Sequence, residues 1–270
     1  GGVDSTAVGA SAMLTGIFGD LAASVLVQQN TLISGSMVNP SSATGELYLG
    51  GRAAYGVHVS SVPAVTIDDN REILGGGVPM MLSPGSAVPQ AIGVRAVGSG
   101  QLAVTGNTRI QGCSPYCGPG SSTSTPTPRI ANGIGVLVSG FDASISAAKA
   151  ISGNALILGG PIRNDISSPG SFTVSVGVDV QERGGAGGLL VDVAGNGGIA
   201  GNTTEDASPV IYRPARAWGI RVFHAQVTAT QNATIIGGRS HTVSVGINLE
   251  QNDDVLTALD AQDNGEIVGN

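Results

Sequence analysis

The side chains best suited to chemistry are two acidic pairs, and both stand where turns are expected. Asp68-Asp69 directly precedes Asn70, and Asp253-Asp254 lies in a polar stretch. Adjacent carboxylates could act as acid and base or bind calcium, but such a site needs groups from several segments to converge. Acidic residues are also common in turns, where they bond the local backbone. We therefore interpret both pairs as turn residues and predict no catalytic residue, no metal site and no cofactor.

A serine nucleophile and a calcium loop have little more support. The chain has no Gly-x-Ser-x-Gly motif, the strand-to-helix turn that exposes such a serine, and His58, His224 and His241 are scattered. The stretch from Gly184 to Asp192 is loosely similar to a calcium-binding nonapeptide, but it occurs once, whereas such sites stack several copies. We interpret it as a flexible glycine loop.

The two cysteines are four positions apart in a loop rich in proline and glycine. This spacing of Cys113 and Cys117 predicts a small local disulfide. Metal binding is the alternative, but it needs more ligands and none stand nearby. Because disulfides persist in oxidising compartments, the pair favours an extracellular or cell-surface location.

Two Asn-x-Thr sequons are candidate glycosylation sites. Asn202 lies in a stretch that we expect to be a loop, and it is the better candidate. Asn232 belongs to a repeated set of asparagines, and we expect a turn to hold it.

That repeated set is the strongest pattern in the chain. The unit Asn-x-x-Ile-x-Gly occurs seven times, at intervals of 32 to 47 residues. Its asparagines, which we predict to mark a structural turn in every repeat, are Asn30, Asn70, Asn107, Asn154, Asn196, Asn232 and Asn264. Apolar residues recur three and five positions before these asparagines, with Lys149 as an exception. We expect a bulge to turn Lys149 outward; the alternative is a buried lysine paired with a carboxylate such as Asp142.

A second element precedes each unit and completes the repeat. It reads Gly, apolar, any residue, then usually apolar, as in Gly56-Val57-His58-Val59 and Gly177-Val178-Asp179-Val180. Period-two alternation in pieces this short indicates strands. Each repeat therefore predicts three short strands, with the asparagine between the second and the third. Only the stretch from Ser11 to Leu26 offers room for a helical turn or two.

Two repeat folds accommodate strands that recur about every 40 residues. A seven-bladed propeller needs four strands per blade and usually carries aromatic signatures, whereas three strands are visible here and the chain has one Trp. A parallel β-helix places three short strands in each coil, with small aliphatic residues inside and an asparagine in the left-handed conformation at a turn. Stacked asparagines can also hydrogen-bond along the stack. The sequence therefore predicts an all-β fold, a parallel β-solenoid of about seven coils with variable return loops, as one domain over residues 1–270.

The Gly-Val-x-Val strand and the Asn-x-x-Ile-x-Gly unit together resemble the right-handed parallel β-helix repeat proteins of bacterial surfaces. The resemblance covers nearly the whole chain and concerns the fold. That fold hosts lyases, hydrolases, adhesins, phage spikes and passive surface proteins. The β-helix enzymes that cut acidic polysaccharides combine clustered carboxylates with basic residues, and their Gly-His-Gly and Arg-x-Lys pieces are absent from this sequence.

Composition excludes two classes of partner. The 270 residues hold 12 basic and 19 acidic side chains, a net charge of −7. Phosphate backbones require clustered Lys and Arg, so the chain is not suited to nucleic acid. No apolar run approaches the ~18 residues of a membrane-spanning helix.

The two ends of the sequence match each other and suggest a function. The chain closes on Ile267-Val268-Gly269-Asn270 and opens on Gly1-Gly2-Val3, and an internal copy of this junction runs from Ile73 to Val78. A solenoid without caps offers unpaired strand edges that template further stacking. We therefore expect an extracellular structural protein whose copies stack head to tail into a filament or surface layer. A segment of a longer solenoid would explain the matching ends equally well.

Two other functions stay open at this point. One is a glycan-binding or adhesive surface module that uses the long loops after Gly75 and Gly112. The few aromatics available to it include Tyr116, Tyr212, Trp218 and Phe223. The other, less favoured, is a polysaccharide lyase or hydrolase, which would need the carboxylates of neighbouring coils to converge.

Overall fold

A computed structural model describes residues 12–35, 51–76, 90–113, 130–140, 147–161, 172–182, 188–202, 215–240, 242–250 and 257–269. These residues form three parallel sheets of seven strands, and the chain passes through the three sheets in turn seven times. The chain is therefore an all-β parallel solenoid, and each coil contributes one strand to every sheet. The predicted fold is confirmed.

We name the sheets A, B and C in the order in which a coil enters them. Sheet A has the longest strands: β1 (Ala12–Asp20), β4 (Gly51–Ser60), β7 (Gln90–Val97), β10 (Ile130–Gly140), β13 (Phe172–Glu182), β16 (Arg216–Phe223) and β19 (Val243–Glu250). Sheet B contains β2 (Val25–Gln28), β5 (Ala64–Asp68), β8 (Gln101–Thr105), β11 (Lys149–Ser152), β14 (Leu190–Ala194), β17 (Gln226–Thr230) and β20 (Ala258–Gln262). Sheet C contains β3 (Leu32–Ser34), β6 (Glu72–Leu74), β9 (Arg109–Gln111), β12 (Leu156–Leu158), β15 (Gly198–Ala200), β18 (Thr234–Ile236) and β21 (Glu266–Val268).

The helical turn that the sequence allowed between Ser11 and Leu26 does not form in the described residues. Ala12–Asp20 is β1, and Val25 opens β2. The period-two pattern prevails because Ile17 pairs in register with Val57 and packs against the core. The described part of this stretch is therefore strand, in agreement with the all-β prediction.

The repeated isoleucine builds the centre of the solenoid. It stacks in register from coil to coil along sheet C, beginning with the pair Ile33 and Ile73. The first six copies are 0–5% exposed, whereas the seventh, Ile267, is 46% exposed. The exposed copy is the one in the last described coil, which has no following coil to pack on it.

A glycine in each sheet A strand lets sheets A and C approach closely. A methyl group on Gly135 would lie 2.5 Å from the carbonyl oxygen of Gly177 and 2.7 Å from Cγ2 of Ile157. No side chain larger than hydrogen fits there without moving backbone. The glycine of the Gly-apolar-x-apolar element is therefore a packing requirement.

The left-handed residue at the asparagine corner is not the asparagine. The positive φ belongs to the residue before it, such as Asp69 at 52° and Gly153 at 64°. This corrects the prediction of left-handed asparagines. The turn is made one residue earlier, which leaves each asparagine free to point its amide along the stack.

Lys149 does not bulge outward. Its strand keeps register with Leu102 in the preceding coil, and Lys149 is 4% exposed. Its Nζ donates to the carbonyl oxygen of Ala147 at 3.1 Å. Burial lowers the pKa of the ammonium group. The expected bulge is wrong, and Asp142, the suggested partner, lies outside the described residues.

Candidate functional site

The most site-like surface lies on the outer face of sheet A. The apolar positions of the Gly-apolar-x-apolar element point inward to the core, so the intervening position faces outward on every strand. We call these side chains the variable row, and in coil order they are Phe18, His58, Arg95, Leu137, Asp179, Arg221 and Asn248. Unlike the asparagines, the members of this row differ from coil to coil.

One end of the row is organised around a buried ion pair. Arg221 donates from Nε to Oδ1 of Asp179 at 3.0 Å and from Nη2 to Oδ2. Asp179 is fully buried and also accepts from Nε2 of Gln181 at 2.6 Å. Burial alone would lower the pKa of Arg221, but Asp179 and Glu250 outweigh it, so the net pKa is raised. The guanidinium also stacks 5.1 Å from the ring centre of Trp218.

The other end holds a second arginine against two rings. The guanidinium of Arg95 lies 5.4 Å from the ring centre of Tyr55, and its Nη1 contacts Nε2 of His58. Burial and Arg95 lower the pKa of His58 to about 4, against the opposite effect of Asp20. His58 is therefore neutral at neutral pH, with Nε2 as the acceptor from Arg95. Nδ1 of His58 has no hydrogen-bond partner in the described part of the chain.

A groove runs between these two clusters. Two of its lining residues, Ile134 and Leu137, belong to an outer hydrophobic cluster with Tyr55 and Trp218. The cavity measures about 300 Å³, and its described lining is Gln90, Arg95, Asn132, Ile134, Leu137, Ser139, Gln181, Arg221, Phe223 and Glu250. These residues come from five consecutive strands of sheet A, β7 to β19. We call this feature the sheet A groove.

The repeated asparagines form a second, very different structure, a continuous amide ladder. Nδ2 of each of the first six asparagines donates to Oδ1 of the asparagine in the next coil at 2.8–3.0 Å. The same oxygen also accepts the preceding asparagine's backbone N–H at 3.0–3.1 Å. From the second coil onward, Nδ2 also reaches a backbone carbonyl of the previous coil.

The ladder has a direction and two unequal ends. In the described residues, Oδ1 of Asn30 accepts no hydrogen bond, and the backbone N–H of Asn264 donates none. One end of the solenoid thus offers an acceptor and the other a donor. The strands of the first and last described coils likewise have a sheet neighbour on one side only.

Exposed apolar side chains concentrate on the same two end coils. Seven of the nine large exposed apolar residues in the described part lie there, and only Leu156 and Leu190 belong to inner coils. Those on the end coils are Phe18, Leu21, Leu26, Leu32, Val243, Leu249 and Ile267. Of the predicted stacking residues, Ile267 and Gly269 are exposed at the last coil, whereas Gly1, Gly2, Val3 and Asn270 lie outside the described residues.

Of the two acidic pairs considered in the sequence, only Asp68-Asp69 lies in the described residues. Asp68 accepts from Thr105 Oγ1 at 2.6 Å and from Gln28 Nε2 at 3.3 Å on the outer face of sheet B. Asp253 and Asp254 lie outside the described residues. Across the described part, no group of three or more His, Cys, Asp and Glu side chains is placed to hold a metal ion.

The predicted modification sites are largely enclosed. Cys113 is fully buried, and Cys117 lies outside the described residues, so their disulfide stays a prediction. Asn202 is 2% exposed, and its Nδ2 donates to the carbonyl oxygen of Arg239 at 2.9 Å. A glycan on this amide would have to displace that bond, so the folded chain disfavours Asn202 as an acceptor. Asn232 is a fully buried member of the ladder, held as expected.

Sequence reasoning missed the variable row, although its signal was present. Its members occupy the unspecified position of the Gly-apolar-x-apolar element, where a repeat gives no reason to expect function. The informative sign was a departure from repetition: Asp179 and Arg221 occupy the same position in successive repeats with opposite charge.

Comparison of the chain with family models, curated proteins and solved structures finds no match. Within the described ranges, no helix has the length and apolar character needed to cross a bilayer.

Proposed function

We propose that the chain is an extracellular structural protein whose copies stack head to tail, through the ends of their solenoids, into a filament or surface layer. The observation that carries the proposal is the open amide ladder. The acceptor at Asn30 and the donor at Asn264 are complementary, and they recur with the same geometry at each of the six inner junctions. A head-to-tail contact of this kind does not close on itself and yields a filament.

The junction between copies follows from the register inside the solenoid. Placing the last coil of one copy on the first coil of the next sets Asn264 beside Asn30 and Ile267 beside Ile33. The ladder then continues across the junction, and Ile267 gains the neighbour that every inner isoleucine has. Burying exposed apolar surface adds a favourable contribution of roughly 25 cal/mol for each Å² removed from water.

The extracellular location rests on the cysteine pair. A disulfide between Cys113 and Cys117 would be stable in an oxidising compartment.

A glycan-binding surface module is the second candidate, though not in the form expected from sequence. The loops after Gly75 and Gly112, with Tyr116 and Tyr212, fall outside the described residues. Trp218 is 4% exposed and stacked beneath Arg221, so it does not belong to a row of exposed aromatics. The observation that favours this candidate is the sheet A groove. A polysaccharide-cleaving enzyme has no comparable support in the described residues.

Cysteine cross-linking across the junction tests the stacking proposal. Asp260 pairs with Thr228 and Leu26 with Thr66 in the internal register. Continuing that register between copies places Asp260 of one beside Leu26 of the next at about 4.8 Å, within the Cα range of a disulfide. We expect a mixture of Leu26→Cys and Asp260→Cys chains to give a covalent dimer on a non-reducing gel.

The matched control moves one cysteine by one coil. Thr228→Cys lies about 9.6 Å from Leu26 of the next copy, too far for a disulfide. Equal cross-linking of Leu26→Cys with both partners, or none with either, would overturn the proposal. Electron microscopy of the unmodified protein should show fibres with a subunit repeat of roughly 34 Å, about seven strand spacings.

A further inference from the structure

We propose that the sheet A groove binds an extended, uncharged oligosaccharide along the side of the solenoid. The site lies on the outer face of sheet A and reaches the last coil only through Glu250 of β19, so binding there does not require the stacking proposal. It would allow one chain to join copies end to end while holding a glycan on its flank.

The charge of the groove points to an uncharged ligand. Two guanidinium groups, Arg95 and Arg221, stand against two carboxylates, Asp179 and Glu250, so the described charges balance. Asp179 already neutralises Arg221 through two hydrogen bonds. A charged polymer would meet as much repulsion as attraction here, whereas hydroxyl groups can use both donors and acceptors.

The shape of the groove points to an extended ligand. Its lining comes from five adjacent strands, β7 to β19, which span about 19 Å at the ordinary strand spacing. A volume of about 300 Å³ distributed over that length describes a narrow channel. A linear chain of sugar rings fits such a channel better than a compact metabolite.

The lining chemistry favours sugar over peptide. An extended peptide usually binds by adding a strand to a sheet edge, but this groove lies on a sheet face, where every backbone group is already paired between strands. What the face offers is planar polar groups, namely the amides of Gln90, Asn132 and Gln181 beside the guanidinium groups. Sugar hydroxyls accept and donate to such groups in pairs. Ile134 and Leu137 also line the groove but are only 2% and 6% exposed, so the polar groups carry the recognition.

Isothermal titration calorimetry with defined hexasaccharides tests the proposal. The probes are the uncharged β-1,4- and α-1,4-linked glucose hexamers and, for comparison, an α-1,4-linked galacturonate hexamer. We expect saturable binding of at least one uncharged hexamer and no binding of the acidic one. The variant Gln90→Ala/Gln181→Ala should bind about tenfold more weakly, since it removes two hydrogen-bonding amides.

Gln101→Ala is the matched control, because Gln101 is exposed on the outer face of sheet B and away from the groove. It should bind like the unmodified chain. Circular dichroism verifies that all variants keep their β-sheet. The proposal is overturned if neither uncharged hexamer binds at millimolar concentration, if the galacturonate hexamer binds more tightly, or if Gln101→Ala and the groove variant lose affinity equally. Binding of an extended peptide such as an alanine-rich decamer in preference to the sugars would also overturn it.

Discussion

The asparagine ladder and the variable row occupy equally regular positions in the solenoid, yet they obey opposite rules. At the ladder every coil contributes the same side chain, and each amide bonds the next coil at 2.8–3.0 Å. On the variable row, neighbouring coils contribute an aromatic ring, an imidazole, a guanidinium, a leucine or a carboxylate.

The ladder stabilises the fold, whereas the variable row gives one face of the solenoid its own surface chemistry. The ladder requires the same side chain in every coil, because an amide that both donates and accepts can bond an identical amide in the next coil. A row of unlike side chains works through specific pairs, such as Asp179 with Arg221, and leaves room between them for a ligand. Removing an inner member of the ladder should therefore lower the free energy of unfolding. Replacing a whole pair on the variable row should be tolerated.

The largest effect is expected from breaking the ladder at its centre. Asn154→Ala removes the acceptor of two donors on Asn107 and the donor to Val104 and Asn196. Because these groups are buried, we expect the free energy of unfolding to fall by roughly 4–6 kcal/mol. Urea denaturation followed by circular dichroism measures this loss.

The same substitution at the first coil is the control. Oδ1 of Asn30 accepts nothing in the described residues, so Asn30→Ala orphans no donor and should cost about 1 kcal/mol. Similar losses for the two variants would contradict the view that the ladder is directional and that its central members stabilise it most.

The fold could be predicted because it depends on repetition. Seven copies of Asn-x-x-Ile-x-Gly fix the register of three sheets, and the structure places Ile33 beside Ile73 as that register requires. The conformation of the corner was not predictable in the same way. Asn is the residue with the known left-handed tendency, but here the residue before it turns, and that residue is Gln, Asp or Gly.

The groove could not be predicted from the repeat, because its side chains are not repeated from coil to coil. Which row members pair depends on the variable intervals that bring Asp179 and Arg221 into adjacent strands, 42 residues apart. The position of Lys149 in the core was likewise not predictable from the repeat. Its position in the apolar register suggested a bulge, whereas the strand keeps its register and Nζ donates to the carbonyl oxygen of Ala147.

The second prediction exchanges the ion pair on the row. Asp179→Leu removes the carboxylate that bonds the guanidinium of Arg221, whose side chain is 17% exposed and still attracted by Glu250, and we expect a loss of roughly 3 kcal/mol in the free energy of unfolding. Asp179→Leu/Arg221→Leu should recover most of it and come within about 1–2 kcal/mol of the unmodified chain. Leu137 occupies the same row position one coil earlier, which shows that the face accepts leucine. The measurement is again urea denaturation.

A double variant as unstable as the single one would mean that the fold requires this ion pair, as it requires the asparagines. The proposed difference between the ladder and the variable row would then be wrong. Arg221→Leu alone provides the remaining corner of the double-mutant cycle, from which the coupling between the two side chains follows.

The smallest effect is expected at His58, and it depends on pH. Burial and the adjacent Arg95 lower the pKa of His58 to about 4, below the 6.5 of an exposed histidine. Above pH 6.5 both folded and unfolded chains hold it neutral, so stability is unaffected. As the pH falls from about 6.5 to about 4, the unfolded chain takes up a proton that the folded chain refuses, and stability declines by at most about 3 kcal/mol. His58→Gln lacks this proton, so the difference in unfolding free energy between the two chains should change across that window and stay constant above it. Parallel pH profiles for the two chains would show that the folded chain does not hold His58 neutral. The imidazole would then be protonated on the row as readily as it is in open solvent.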